Sequence, residues 1–257
     1  MKQPVLFLGH GSPMNALVKN DFSKNLNLIG EKLSANKPSA ILMISAHWQT
    51  HGSFYTSDET PKQIYDMSGF PDELYEVKYQ PPGYPQMFAG HSDWHIKPST
   101  GNWGLDHGTW STLIHLFPKA DVPVVQLSLD VDKNFDQHYQ LAKKLSTLRE
   151  QNILILGSGN IVHNLRNFSL EEKAPPMPWS LQFDHWVNEN VISRNDEVIL
   201  HEWSKHPQGK MAVPTTEHFL PLVYCLGASA NPVGQKPQVI FDEIQNGSIS
   251  MRSYWFG

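Results

Sequence analysis

The chain contains 257 residues, 40% of them hydrophobic, and carries a formal net charge of −5 at neutral pH. This length and apolar content favour a single large domain with a substantial core. A weakly acidic chain without a basic block argues against nucleic acid as the main partner. The single cysteine, Cys225, excludes an internal disulfide framework. No apolar run reaches the roughly 20 residues that span a bilayer, so we expect a cytoplasmic protein without a membrane partner.

Alternating apolar runs and amphipathic stretches predict an α/β fold, with residues 1–257 as one domain. The helical spacing of Phe22, Leu26 and Leu33 predicts an amphipathic helix that ends before Pro38. Near the end of the chain, Asn246-Gly247 separates two strand-like runs and predicts a hairpin. The predicted strands lie at 5–8, 40–45, 122–129 and 153–156, and the predicted helices lie at about 21–35, from 107, at 132–150, around 183–191 and after 216.

Residues 58–102 form a long stretch without clear periodicity, rich in proline, glycine and aromatic residues. Loops of this length are usually either functional or disordered. The aromatic residues of this stretch, among them Tyr65, Phe70 and Tyr79, argue against disorder. We therefore predict an ordered cap or pocket wall.

Three apolar runs deliver a histidine at or just beyond their carboxyl ends. His10, His47 and His163 follow the first, second and fourth predicted strands. Ligands of open α/β sheets bind outside the carboxyl ends of the strands. If these three strands are parallel neighbours, their imidazoles converge, and a metal site is the hypothesis to test.

Two further histidines lie at predicted helix starts. His218, in the segment TEHFL, is a fourth candidate ligand, because imidazole suits zinc, copper, iron and nickel. The sequence has no HExxH or CxxC motif, so spacing alone leaves the ligand set open. His107 stands beside Asp106 and is either a structural residue of a capped helix start or a proton-transfer group. His138, in a polar helical context, is interpreted as solvent-exposed.

Six segments occur in order between Val5 and about Leu222: GHGSPMNAL, SAHWQT, YDMSGFPDELYEVKYQPPG, GLDHGTW, GSGNIVHNL and EHFLPL. Together they resemble the class III extradiol ring-cleavage dioxygenases, in the branch that includes the 4,5-DOPA dioxygenases. The resemblance implies an α/β fold with a central mixed sheet flanked by helices. It also implies a catechol, such as 3,4-dihydroxyphenylalanine, and O₂ as reactants, and one divalent non-haem ion, Zn²⁺ or Fe²⁺.

The same resemblance implies a role for each of the five histidines. His10, His47 and His218 are the implied metal ligands. His163 is implied either as an additional ligand or as an acid–base group. His107 is implied as a proton donor beside the ligands.

Two details follow from this resemblance. Many members of the wider family complete the metal site with a glutamate, so Glu217, adjacent to His218, stays open as the alternative ligand. Adjacent helical residues point about 100° apart, so only one of the two should face the metal. We also expect residues 65–84 to wall the substrate pocket, with Tyr65 and Trp48 in contact with the substrate.

Two other functions could use the same histidines. A zinc hydrolase would use them to lower the pKa of a bound water. A metal-dependent binding protein would use them without catalysis. Zinc has no redox chemistry, so the identity of the metal and the ability to activate O₂ are linked. An oxygen requirement for turnover would distinguish ring cleavage from hydrolysis.

Overall fold

A mixed sheet of eight strands forms the centre of the protein. The computed structural model describes residues 2–99, 101–230 and 236–257. The strands of the sheet are β1 (Val5–Gly9), β2 (Ala40–Thr50), β3 (Ser53–Thr56), β4 (Ile96–Ser99), β5 (Val124–Asp130), β6 (Ile153–Gly159), β7 (Gln238–Phe241) and β10 (Ser253–Phe256). A separate hairpin consists of β8 (Ile244–Gln245) and β9 (Ile249–Ser250). The order across the sheet is β4-β3-β5-β2-β6-β1-β10-β7.

The four central strands, β5, β2, β6 and β1, run parallel to one another. Strands of such sheets are buried on both faces, which explains why their sequences are continuous apolar runs. On β1, Val5 and Phe7 contact one half of the core, and Leu6 and Leu8 contact the other. β10 is antiparallel to β1 and β3 is antiparallel to β5, so the sheet is mixed, as predicted.

Helices cover both faces of the sheet. The half of the core that contains Val5 and Phe7 also contains side chains of three helices: α4 (Phe135–Leu145), α5 (Pro178–Ser193) and α8 (Leu220–Ala228). The other half contains those of α1 (Asp21–Ser34) and α3 (His107–Leu116). No helix within the described ranges is long and apolar enough to cross a membrane. The described residues also form three shorter helices: α2 (Asp72–Glu76), α6 (Asp196–Glu202) and α7 (Gly209–Ala212).

Two element boundaries differ from the prediction. β2 continues to Thr50, and this extension carries His47 within a shift in the register with β5, which lies between Ile44 and Gln49. α4 ends at Leu145 instead of near residue 150, and a 3₁₀ turn follows it. The hydroxyls of Ser146 and Thr147 donate to the carbonyls three residues before them, which competes with the regular helical pattern.

Two predictions about irregular segments are confirmed. Asn246 and Gly247 both have positive φ angles, 55° and 74°, as a tight hairpin turn between β8 and β9 requires. The long stretch 58–102 is ordered in its described part, where it forms α2, β4 and two 3₁₀ turns, Pro85–Phe88 and Ser92–Trp94. Leu74 and Tyr79 anchor it, since both are buried in the core below α3.

His138 is fully buried, which contradicts its interpretation as a solvent-exposed residue. It lies on the face of α4 that packs against α8, and its Nδ1 is 3.0 Å from the hydroxyl of Tyr224. His138 lies three residues before Leu141 and seven before Leu145, so helical spacing places it on the same face as these leucines, and the prediction failed because it relied on the polarity of the side chain. Burial, with a smaller effect of Lys133, lowers the pKa of His138 to about 4.

The neutral, buried His138 should make the fold sensitive to acid. Above pH 6.5 the imidazole is neutral in both the folded and the unfolded chain, and it imposes no penalty. As the pH falls from 6.5 towards 4, the unfolded chain binds a proton that the folded chain excludes, so stability is lost. At about pH 5 we expect this histidine to account for a loss of about 2 kcal/mol. Urea unfolding of the wild type and of His138→Asn at about pH 7 and about pH 5 tests this, and equal losses in both proteins would contradict it.

Candidate metal centre and active site

The sheet topology brings together three of the histidines. β2, β6 and β1 lie side by side in parallel, so their carboxyl ends meet at one edge of the sheet. His10 directly follows β1, His47 lies in the extension of β2, and His163 lies beyond β6. The Nε2 atoms of His10 and His47 are 3.1 Å apart. Two of the predicted ligands are therefore in direct contact at this edge.

His218 reaches the same place from the segment that precedes α8. Its ring centroid lies 5.4 Å from that of His10 and 5.0 Å from that of His47. The backbone N–H of Asn160 donates to the carbonyl of His218 at 2.8 Å and fixes this segment to the end of β6. A Cβ at Gly159 would lie 2.2 Å from the same carbonyl oxygen. Glycine is therefore required for this close approach.

His163 and His107 complete a cluster of five imidazoles. His163 stacks on His218, with 3.5 Å between the centroids and 7° between the ring planes. The ring of His107 lies 3.9 Å from that of His47. The potential ligand atoms form two groups, each with all members within 4.8 Å of one another: His10, His47 and His107, and His163, Glu217 and His218. This is more than the three protein ligands of a typical catalytic site, so the ligand set stays a prediction.

Hydrogen bonds fix the nitrogen of His10 that carries the proton. The hydroxyl of Ser158 donates to the carbonyl of Gly108 at 2.6 Å, so its oxygen is left to accept from the His10 ring. His10 Nδ1 lies 2.9 Å from this oxygen and therefore carries the proton. The lone pair is then on Nε2, the atom that faces His47. A metal-binding histidine commonly donates its other ring N–H in this way.

Glu217 has the same effect on His218. Its Oε1 accepts from His218 Nδ1 at 3.0 Å and from the hydroxyl of Thr215 at 2.8 Å. Nε2 of His218 is buried and has no hydrogen-bond partner among the described residues. A buried polar atom without a partner costs free energy, and a bound metal ion would remove that cost. In this structure the carboxylate of Glu217 orients the ring, and the orphaned nitrogen fits a metal ligand.

Burial favours the neutral form of His10, His47, His163 and His218. It lowers the pKa values of His10, His47 and His218, and in the first two the neighbouring imidazoles lower the pKa further. Burial and the proximity of His218 lower the pKa of His163 to about 3. Burial would raise the pKa of Glu217, but the hydrogen bond from His218 outweighs this effect, and the pKa is lowered to about 2. Because metal ligands must be deprotonated, the imidazoles are in their binding form at neutral pH.

His107 is the first residue of α3, and the carboxylate of Asp106 caps this helix by accepting from the N–H of Thr109 at 3.2 Å. A second carboxylate, that of Asp66, accepts two hydrogen bonds from His107. Oδ1 accepts from its backbone N–H at 2.8 Å, and Oδ2 lies 2.9 Å from its ring Nδ1. Our sequence reasoning missed Asp66. The only signal was its place in the segment YDMSGFP, one of the six on which the resemblance rests.

A cavity of about 550 Å³ lies beside the cluster, a size suited to a small ligand. All five histidines and Asp66 line it. Another cavity, of about 450 Å³, lies between α1 and the end of α3 and contains none of these five histidines. The rest of the wall of the first cavity is largely apolar and consists of Gly11, Ser12, Pro13, Met67, Phe70, Leu165, Phe168 and Ile249.

The two residues predicted to contact the substrate, Tyr65 and Trp48, are not among the residues that line this cavity, and their contact with the substrate stays a prediction. The hydroxyl of Tyr65 donates to the carbonyl of Val77 at 2.6 Å, and its ring packs against Trp110 in the core. Trp48 is 4% exposed and stacks parallel to Trp103. Tyr65 is half-buried, and its hydroxyl also accepts from Lys78 at 2.9 Å. From the predicted wall at 65–84, the lining residues are Asp66, Met67 and Phe70.

Residues 4–256 match the family model of the catalytic LigB subunit of aromatic ring-opening dioxygenase. The chain belongs to this family. It is 39% identical to a protein of Escherichia coli (strain K12) named 4,5-DOPA dioxygenase extradiol, over 100% of this chain and 95% of the relative. A relative of the same name from Beta vulgaris is 35% identical, over 97% and 95%. The crystal structure of an uncharacterised protein from Escherichia coli K12 superposes with a TM-score of 0.85 at 34% identity and covers 100% of both chains.

Family membership confirms the resemblance read from the six segments. The protein is an extradiol aromatic ring-opening dioxygenase, which depends on a non-haem metal and takes an aromatic diol and O₂. The histidine cluster at the edge of the sheet fits such a metal. The comparisons do not favour the zinc-hydrolase alternative, and the family is one of enzymes, not of binding proteins.

Replacement of His47 by alanine should remove most of the bound metal, because a site of three ligands loses one of its donors. Elemental analysis of the purified protein measures this. His51→Ala is the matched control, since His51 lies four residues away, is exposed and pairs with Asp132 at 3.0 Å. A His47→Ala protein with the full metal content would exclude His47 as a ligand.

Proposed function

We propose that residues 1–257 act as one catalytic domain that opens the ring of a catechol such as 3,4-dihydroxyphenylalanine, with Fe²⁺ as the metal. One observation carries this proposal: His10, His47 and His218 line a cavity whose other walls are largely apolar, and among the described residues their Nε2 atoms have no protein partners other than each other. The names of the relatives from Escherichia coli and Beta vulgaris support the choice of substrate.

His10, His47 and His218 would hold the metal. Ser158 and Glu217 accept hydrogen bonds from the Nδ1–H groups of His10 and His218, which leaves the Nε2 lone pairs free. A bound Fe²⁺ would supply a binding site for both catechol oxygens and a route for electrons from the ring to O₂. Zinc would fit the same imidazoles but has no redox chemistry, so we assign iron to the active enzyme.

Two imidazoles are left to move protons. The catechol must lose a phenolic proton, and a proton must return to oxygen before the product leaves. Ligated imidazoles cannot do this, because their lone pairs are committed to the metal. His107 donates from Nδ1 to Asp66, so its Nε2 lone pair is available as a base. His163, stacked on His218, is the second proton-transfer group in this proposal.

The apolar walls of the cavity would hold the flat ring. Met67 and Phe70 come from the long segment 58–102, and Leu165 and Phe168 come from the turn after β6. Leu165 is 63% and Phe168 is 38% exposed, so this turn forms the solvent side of the cavity. A polar substituent of the catechol can stay hydrated on this side while the diol faces the histidines.

The first test is oxygen uptake after anaerobic loading with Fe²⁺, measured with a panel of catechols that includes 3,4-dihydroxyphenylalanine. We expect uptake of one O₂ per ring opened, and no uptake by the zinc-loaded protein. Uptake with other catechols but not with 3,4-dihydroxyphenylalanine would refute the choice of substrate alone. No uptake with any catechol would refute ring opening by this site.

His107→Ala should keep its metal and lose roughly 10²–10⁴ in turnover, the usual contribution of a proton-transfer group. His163→Ala should behave in the same way. Metal analysis beside the oxygen-uptake rate separates the roles. If either variant loses metal as readily as His47→Ala does, that histidine is a ligand, and if both keep metal and near-normal rates, the proton-transfer assignment fails.

A further inference from the structure

The geometry points to Asp66 as the residue that positions His107: we infer that its carboxylate holds the His107 imidazole with the proton on Nδ1 and so keeps the Nε2 lone pair towards the cavity. The inference rests on the proposed function of His107. Asp66 is a positioning residue, because its two carboxylate oxygens accept hydrogen bonds from His107 and it would influence the reaction through that histidine.

Both oxygens of Asp66 bind the same residue. Oδ1 accepts from the backbone N–H of His107 at 2.8 Å, and Oδ2 is 2.9 Å from its ring Nδ1. A carboxylate that accepts from both the backbone N–H and the ring N–H of His107 fixes the position of this residue and the rotation of its ring. The side chain of Asp66 is 10% exposed and that of His107 is 9% exposed, so water competes little for these bonds.

Asp66 is itself held in place by the backbone next to it. The N–H of Ile64 donates to the carbonyl of Leu105 at 2.9 Å, and the N–H of Leu105 donates to the carbonyl of Lys62 at 2.8 Å. The indole N–H of Trp110 donates to the carbonyl of Ile64 at 3.0 Å. These bonds fasten residues 62–64 to the start of α3, so the carboxylate meets His107 without a mobile linker.

The charge of Asp66 is stabilised where it lies. The carboxylate sits at the N-terminus of α3, where exposed N–H groups favour a negative charge. An ionised carboxylate has no proton to donate, so it can only accept from Nδ1–H.

The chemistry of an amide makes this inference testable. In Asp66→Asn the side-chain oxygen can still accept from the backbone N–H of His107, so the tie between the long segment and α3 survives. The amide NH₂ then faces the ring and can only donate, so Nδ1 must become the acceptor. The proton moves to Nε2, and the lone pair needed in the cavity is lost. The equivalent exchange in the serine protease triad costs about 10⁴ in kcat by imposing the wrong tautomer.

The experiment compares the wild type, Asp66→Asn and a matched control, Asp132→Asn. Asp132 pairs with His51 at 3.0 Å on the exposed surface, so the control removes a similar carboxylate–imidazole contact outside the site. The tautomer of His107 is read in the metal-free protein from two-bond ¹H–¹⁵N correlation spectra of ¹⁵N-histidine-labelled protein at mildly alkaline pH. The ring signals are assigned with His107→Gln. Metal content and the kcat and KM of oxygen uptake are measured on the Fe²⁺-loaded proteins.

We expect Asp66→Asn to keep its metal and its KM, to move the His107 proton from Nδ1 to Nε2, and to lose about 10²–10⁴ in kcat. Asp132→Asn should match the wild type in every measurement. The inference is overturned if the tautomer does not change, or if it changes while kcat stays at the wild-type value. Loss of metal in Asp66→Asn would also overturn it, because Asp66 would then support the ligand His47, whose Nδ1 lies 3.8 Å away.

The proposed function can fail separately. If the wild type consumes no O₂ with any catechol, ring opening of catechols is refuted, while the tautomer measured in the metal-free protein still decides whether Asp66 orients His107. A positive oxygen-uptake assay with an unchanged tautomer refutes Asp66 alone.

Discussion

The parallel packing of β1, β6 and β2 is the constraint on which the site depends. Parallel neighbours end on the same edge of the sheet, so a histidine placed after each strand must meet the others there. The strands are buried on both faces, and at their ends His10 is buried while His47 and His163 are half-buried. Burial disfavours the charged imidazole, so the same packing that gathers the histidines also keeps them able to bind a metal.

One hydrogen-bond design recurs around the cluster. Ser158, Glu217 and Asp66 each accept from the Nδ1 of one histidine: His10, His218 and His107, respectively. Each bond leaves the Nε2 lone pair free. Two of these lone pairs serve the proposed metal site and the third serves the proposed base. A hydroxyl and two carboxylates thus prepare imidazoles for two proposed roles, metal binding and proton transfer. The position of each Nε2 atom decides which of the two roles that imidazole has.

The long segment 58–102 has two tasks at the site. It supplies Asp66 against His107, and it supplies Met67 and Phe70 to the wall of the cavity. It can do this because its neighbouring residues are fixed to α3 through the core, with Tyr65 packed on Trp110. Leu165 and Phe168, which also line the cavity, come from the turn after β6. The cavity therefore lies between a segment tied to a helix and a turn tied to the sheet.

The sequence by itself determined the buried apolar strands, the strand-end positions of His10, His47 and His163, and the hairpin at Asn246-Gly247, because continuous apolar runs and turn residues report local burial and local backbone shape. The similarity of its six segments to known dioxygenases identified the family. The tertiary structure alone decided that His218 lies against Gly159, that Asp66 holds His107 and that His138 packs against Tyr224. Each of these is a contact between segments distant in the chain. Local periodicity shows that a residue is covered, but not which distant residue covers it.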